Sequence, residues 1–120
     1  MGMRVLSSDA NGIKTEVSLQ LTGTIRGVSE STLWTYTILT RPDGSMYGSG
    51  TGIMTTQDGD VVSMVGTGSG KAVPPGATNN FRTMIHPHSA TAKYAGLNGS
   101  TLVGEYDLNA DGSAINKCWE

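Results

Sequence analysis

From Thr15 to Arg26 the chain alternates without a break. Val17, Leu19, Leu21, Gly23 and Ile25 take one parity, and Glu16, Ser18, Gln20, Thr22, Thr24 and Arg26 take the other. Successive side chains of a strand point to opposite faces, so the segment lays an apolar row on one surface and a polar row on the other. A helix would scatter both sets around its circumference. The segment reads as a half-buried strand, and it demands a sheet with one face on a core and the other on water.

The rest of the chain repeats that grammar. Met3 to Leu6 is expected to fold back onto this strand through Asn11-Gly12. Thr32 to Thr40 is aromatic and β-branched, with Trp34, Tyr36 and Ile38 on one face. Arg41-Pro42-Asp43-Gly44 turns it into Ser45 to Thr56, because proline fixes the first corner and glycine permits the positive φ of the last. Gln57 to Asp60 makes the next turn, and Val61 to Ser69 the next strand. After a loop from Lys71 to Asn80 containing Pro74-Pro75-Gly76, Phe81 to Ile85 is a strand expected to end at His86-Pro87-His88. Ser89 to Gly96 has room for one helical turn, and Thr101 to Leu108 and Ala114 to Trp119 form a closing hairpin through Asn109 to Gly112.

Gly48, Gly50 and Gly52 share one face of their strand, and Gly66, Gly68 and Gly70 share one face of the next. Glycines so placed let something approach closely. A large side chain packed across them, or strong coiling of the sheet, is the expected reason, ahead of a ligand.

Composition agrees. Of 120 residues, 44 are Gly, Thr or Ser, and only 15% are charged, against about 25% in an average soluble domain. The length suits one domain over residues 1–120. No strand has the unbroken apolar run of a parallel α/β sheet. The expected fold is all-β: an antiparallel up-and-down barrel of about eight strands with at most one short helical turn. The net charge of −2, without a basic block, argues against nucleic acid as a partner. No segment approaches the ~20 apolar residues of a membrane-spanning helix, and no signal-peptide core is visible, so no membrane association and a cytoplasmic location are expected.

Several motifs start and then fail. Asp107-Leu108-Asn109-Ala110-Asp111-Gly112 begins like a calcium loop, but Cys118 stands where its bidentate acid belongs. Gly66-Thr67-Gly68-Ser69-Gly70-Lys71 resembles a phosphate cradle, yet Val65 and Ala72 break the P-loop pattern and no helix follows. Ile53 replaces the third glycine of a dinucleotide fingerprint. His86 and His88 point the same way on an extended chain, but two ligands do not make a metal site, so no metal and no cofactor are expected. Cys118 is expected to pack rather than react, and Asn98-Gly99-Ser100 reads as a turn. Glu105 and Asp107 are placed on the surface by parity.

Arg41-Pro42-Asp43-Gly44, Gly48-Ser49-Gly50-Thr51-Gly52, Thr55-Thr56-Gln57-Asp58-Gly59, Phe81-Arg82-Thr83, Leu97-Asn98-Gly99 and Lys117-Cys118-Trp119-Glu120 follow one another in an order that spans nearly the whole chain. In that order the chain resembles small uncharacterised bacterial and archaeal proteins of the allene oxide cyclase-like β-barrel group. The resemblance implies an eight-stranded antiparallel barrel, often oligomeric, whose interior is able to hold an apolar small molecule. It brings no catalytic set, and no cyclase active-site residue maps onto this sequence. Met84 to Ala90, with both histidines, intervenes where the family runs more directly, which makes it a candidate place for a function of the protein's own.

Three functions fit these readings. The first is binding of an apolar molecule in or at the mouth of the barrel, with Trp34, Tyr36 and Tyr106 as aromatic walls, Arg82 as polar anchor and His86 at the rim. The second is an isomerase or cyclase using His86 as acid-base group on an unsaturated apolar substrate, provided the His-Pro-His segment folds over the mouth. The third is a packed barrel that self-associates as a homo-oligomer.

Overall fold

The computed structural model describes residues 2–74, 76–111 and 113–119. Pro75 of the long loop, Gly112 of the last turn and Glu120 of the closing motif lie outside the described residues. Eight strands appear: β1 (Gly2–Asp9), β2 (Gly12–Ile25), β3 (Val28–Thr40), β4 (Ser45–Thr56), β5 (Val61–Lys71), β6 (Asn79–His88), β7 (Leu102–Leu108) and β8 (Ala114–Trp119). Each pairs antiparallel with its neighbours in sequence, so the sheet order is the chain order. The sheet curls into a half-barrel. No pairing joins β1 to β8 among the described residues, and the two strands remain as edges. The 14 residues of β2, at about 3.4 Å each, make a strand comparable in length with the molecule's longest extent of 47 Å.

The turns have the chemistry that the sequence announces. Arg26 and Gly27 both have positive φ, 49° and 80°, which makes the β2–β3 connection a two-residue type I′ turn whose twist matches the flanking strands. At Arg41–Gly44 the Gly44 amide donates to Arg41 O at 2.9 Å and Asp43 accepts from both the amide and the hydroxyl of Ser45. Those two bonds hold the Asp43 carboxyl below its ordinary range.

Parity assigns the faces. Val17 and Leu19 of β2, Ile38 of β3, Val62 and Met64 of β5, Phe81 and Ile85 of β6 and Tyr106 of β7 are buried on the concave side. The convex side carries hydroxyl and amide pairs such as Gln20 with Ser31 and Ser18 with Thr35. It also carries an apolar row in direct cross-strand register, Met84, Val103 and Trp119, each about half exposed.

One expectation about β6 needs correction. The strand does not stop before His86-Pro87-His88 but includes all three residues. Pro87 is tolerated because β7 pairs with β6 only as far as Ile85, so the missing N–H breaks no bond to β7. The Met84–Ala90 segment therefore does not fold over a mouth. The helical turn that follows is a 3₁₀ turn, Ala92–Leu97, whose Tyr94 and Leu97 are buried. Asn98 fixes it in place: its side chain accepts from the Ser89 amide at 2.7 Å and donates to Ser89 O at 2.9 Å, while the Ser89 hydroxyl donates to Val61 O. No helix among the described residues is long and apolar enough to cross a membrane.

Candidate functional site

The glycine alternation has a physical explanation. On β3, Trp34, Tyr36 and Ile38 lie opposite Gly52, Gly50 and Gly48 of β4. A Cβ at Gly52 would sit 2.7 Å from Trp34 Cδ2, and one at Gly66 would sit 3.4 Å from the far edge of the same ring. The indole therefore lies across β4 and reaches over β5. Gly70 likewise seats Phe81, whose Cδ1 would be 2.8 Å from a Cβ there. Large side chains fill the space that glycine leaves, as the spacing predicts.

The filling is incomplete, and what remains is a trough of two lobes along the concave face. The smaller lobe, about 80 Å³, has Gly48, Gly50, Gly66 and Gly68 as its floor and is walled by Tyr36, Phe81 and Tyr106 among others. Water-sized groups need about 10–15 Å³ each, so it has room for several. Its walls are almost wholly carbon, and among the described residues no charged side chain lines it. The larger lobe, about 440 Å³, runs between β2 and β8, over Met54, Met64 and Leu97, and reaches Arg26, Glu30 and Thr32 at the β2–β3 turn. Trp34, Ile85 and Asn116 border both lobes.

The two phenols of the smaller lobe satisfy each other, whereas the Thr83 hydroxyl beside them is buried with no hydrogen-bond partner among the described residues. The Tyr36 and Tyr106 hydroxyls are 2.9 Å apart and their rings meet edge to face, with Phe81 tilted against Tyr106 at 5.9 Å. Burial raises both phenols. For Tyr106 the hydrogen bond to Tyr36 adds to the rise, whereas for Tyr36 the same bond opposes it. Both stay neutral through the physiological range. In the larger lobe Thr32 donates to Glu30 at 2.5 Å. The Glu30 side chain lies over Gly23, whose Cβ would come 3.0 Å from Oε1. Burial also raises the Cys118 thiol, which makes it a poorer nucleophile than an ordinary cysteine.

Of the five residues singled out in the sequence, three meet and two do not. Trp34, Tyr36 and Tyr106 gather around the smaller lobe. Arg82 and His86 take the opposite parity from Phe81, Thr83 and Ile85, and stand on the convex face. Arg82 is ion-paired there with Glu105, its cross-strand partner, so it does not anchor anything inside the trough. His86 Nδ1 lies 3.2 Å from the Thr101 hydroxyl, outside the cavity. The alternation of β6 was the available signal: once Phe81 is taken as core, Arg82 and His86 must face out. The residues sequence reasoning missed are Met54, Met64, Ile85, Leu97 and Asn116, ordinary strand and turn residues that only the curl of the sheet brings together. Among the described residues no three His, Cys, Asp or Glu side chains are grouped so as to hold a metal ion.

Comparison with known proteins bears on the fold. No family model matches the chain, and no curated protein sequence does either. Among solved structures the chain is similar to a conserved protein of unknown function from Rhodopseudomonas palustris, with a TM-score of 0.79 at 17% sequence identity, over 98% of this chain and 87% of that one. At that identity the likeness is one of fold: the curled antiparallel sheet is shared by a sequence that has little else in common with this one.

Proposed function

We propose that the protein binds an apolar small molecule along the concave trough. The observation that carries this reading is the pair of cavities on the concave face, a smaller one walled almost wholly by carbon and a larger one of mixed lining, which share Trp34, Ile85 and Asn116 as walls. The kinship with allene oxide cyclase-like barrels suggested by motif order, and a cytoplasmic setting, belong to the same proposal. The isomerase reading has lost its named acid-base group, since His86 is on the other face of the sheet.

Native mass spectrometry of the protein purified from cells tests the reading, together with titration by 8-anilinonaphthalene-1-sulfonate. A bound mass released on denaturation, or saturable dye fluorescence weakened by Trp34→Ala in a folded variant, is expected. A bare chain mass with no saturable dye response overturns it.

A second reading, self-association, is favoured by the exposed row Met84, Val103 and Trp119 on the convex face. Burying half-exposed apolar side chains is worth about 25 cal/mol per Å², and a second copy offers the same row. Sedimentation at micromolar concentration is expected to show a species heavier than the monomer that Val103→Lys converts to monomer. A monomer throughout removes this reading and leaves the first intact.

A further inference from the structure

We propose that the glycine-floored lobe is a tail pocket for an amphiphile, and that the absent side chains at Gly66 and Gly68 set the length of apolar tail the protein accepts. This rests on the ligand-binding reading above and specifies its ligand class: one short apolar tail joined to a polar group.

The two lobes differ in chemistry, and the difference orients an occupant. The smaller lobe offers carbon walls, two phenols already engaged with one another and, among the described residues, one buried unpartnered hydroxyl at Thr83, so a polar headgroup pushed into it would be stripped of water and find at most that single partner. The larger lobe reaches Arg26, Glu30 and Thr32, where a polar group keeps both hydrogen-bonding company and access to solvent along the unpaired β2–β8 side. Tail inward past Trp34 and head toward the β2–β3 turn is the arrangement that avoids burying unmatched polarity.

Depth follows from the floor. Gly50 and Gly52 are committed to seating Tyr36 and Trp34, and a Cβ at either meets them directly. Gly66 is different. A Cβ there would find Trp34 Cη2 at 3.4 Å, Ile85 Cγ1 at 3.5 Å and Met84 O at 3.6 Å, ordinary contacts that an alanine makes without displacing anything. At Gly68 a Cβ is tighter, 3.2 Å from Thr83 Cγ2 and 3.3 Å from Arg82 O. Gly66 is therefore the position where glycine is not needed for packing, and where a methyl group would take up lobe volume while the fold persists.

The probes are the straight-chain primary alcohols from 1-butanol to 1-decanol. They are titrated against the Trp119→Phe protein, so that Trp34 between the lobes is the reporting fluorophore, and binding is read in parallel by amide chemical shifts. Affinity is expected to rise about fourfold for each added methylene, the equivalent of about 0.8 kcal/mol, up to a limiting length beyond which it is flat. With Gly66→Ala added, the limit is expected at least one carbon earlier, with the longest alcohols weakened about fourfold and melting temperature undiminished. Gly66→Val should shorten it further, and if that variant melts early the alanine series alone decides. Identical length series with and without Gly66→Ala overturn the tail pocket while the ligand-binding reading survives. No response to any alcohol in either protein overturns both.

Discussion

The two ends of the trough are built by different means. At the aromatic end, Val17, Leu19, Ile38, Phe81 and Tyr106 form a core drawn entirely from strands, with Trp34 and Tyr36 laid against it over the glycines of β4 and β5. At the other end, Val62, Met64 and Ile85 come from strands, but Tyr94 and Leu97 come from the 3₁₀ turn between β6 and β7. Trp34 packs against both clusters. The comparison shows what a half-barrel lacks. A curled sheet closes one end by setting large side chains on bare backbone, and where it cannot, a connection must supply the missing core.

The plug is the place to break this comparison first. Tyr94 is 0% exposed, so Tyr94→Ala empties an aromatic volume at the centre of its cluster and is expected to cost about 3–5 kcal/mol. That is comparable with the whole stability of many domains of this size. Urea denaturation should show the loss, and a cost under 1 kcal/mol would mean that the turn merely lies on the sheet. The conservative change sharpens the point. Among the described residues the buried Tyr94 hydroxyl has no hydrogen-bond partner, although Arg26 and Lys93 stand over its ring at 6.0 and 5.6 Å. Removing an unsatisfied buried group relieves its desolvation cost, so Tyr94→Phe is expected to raise stability by about 1 kcal/mol in the same assay.

At the aromatic end the test is the glycine row, and its members are not equivalent. Gly50→Ala drives a Cβ into Tyr36 and the Thr35 carbonyl and is expected to cost about 3 kcal/mol. Gly52→Ala, against the rigid indole, is expected to cost about 1–3 kcal/mol. Gly66→Ala meets only ordinary contacts and should gain about 0.4–1 kcal/mol through the unfolded chain. Melting curves of the three variants rank them. Equal effects would mean that the row serves general sheet coiling and not the seating of Trp34 and Tyr36.

The same contrast explains how far the sequence could be read. The eight-strand meander was legible because each strand carries its own alternation and each hairpin its own turn residues, as at Arg41–Gly44 and Gln57–Asp60. Glycine at every second position already implied a large neighbour, and Trp34, Tyr36 and Ile38 were placed on one face of their strand by parity. Arg82 and His86 were misjudged as companions of those rings because the reading went by residue chemistry where parity should have ruled. The plug was harder. Tyr94 and Leu97 lie in a segment that sequence marks only as a short helical turn, and what buries them is the concave surface of β5 and β6, assembled from positions up to 35 residues away in the chain. Asn116 belongs to an unremarkable strand, and only curvature carries it to the junction of the two lobes. Periodicity fixes which side a residue faces, not how far the sheet bends.

The mildest prediction concerns the phenol pair, where pH separates packing from hydrogen bonding. At neutral pH, Tyr106→Phe removes one bond to Tyr36 and is expected to cost about 0.5–1.5 kcal/mol. Above pH 10 the balance changes. Both phenols are raised above the ordinary value of 10.0 in the folded protein, so the unfolded chain releases these protons first and binds fewer of them. Stability then falls with pH. The contribution is fully present below pH 10 and is lost progressively above it, at up to about 1.4 kcal/mol per pH unit for each phenol. Tyr36→Phe combined with Tyr106→Phe should therefore be less stable than the parent at pH 8 yet lose less between pH 10 and pH 11.5, as read from urea midpoints. A parent and a double variant that fall in parallel over that interval would show that the pair does not resist ionisation. The smaller lobe would then be open enough to water for its phenols to ionise freely, which the carbon-lined end of the trough does not allow.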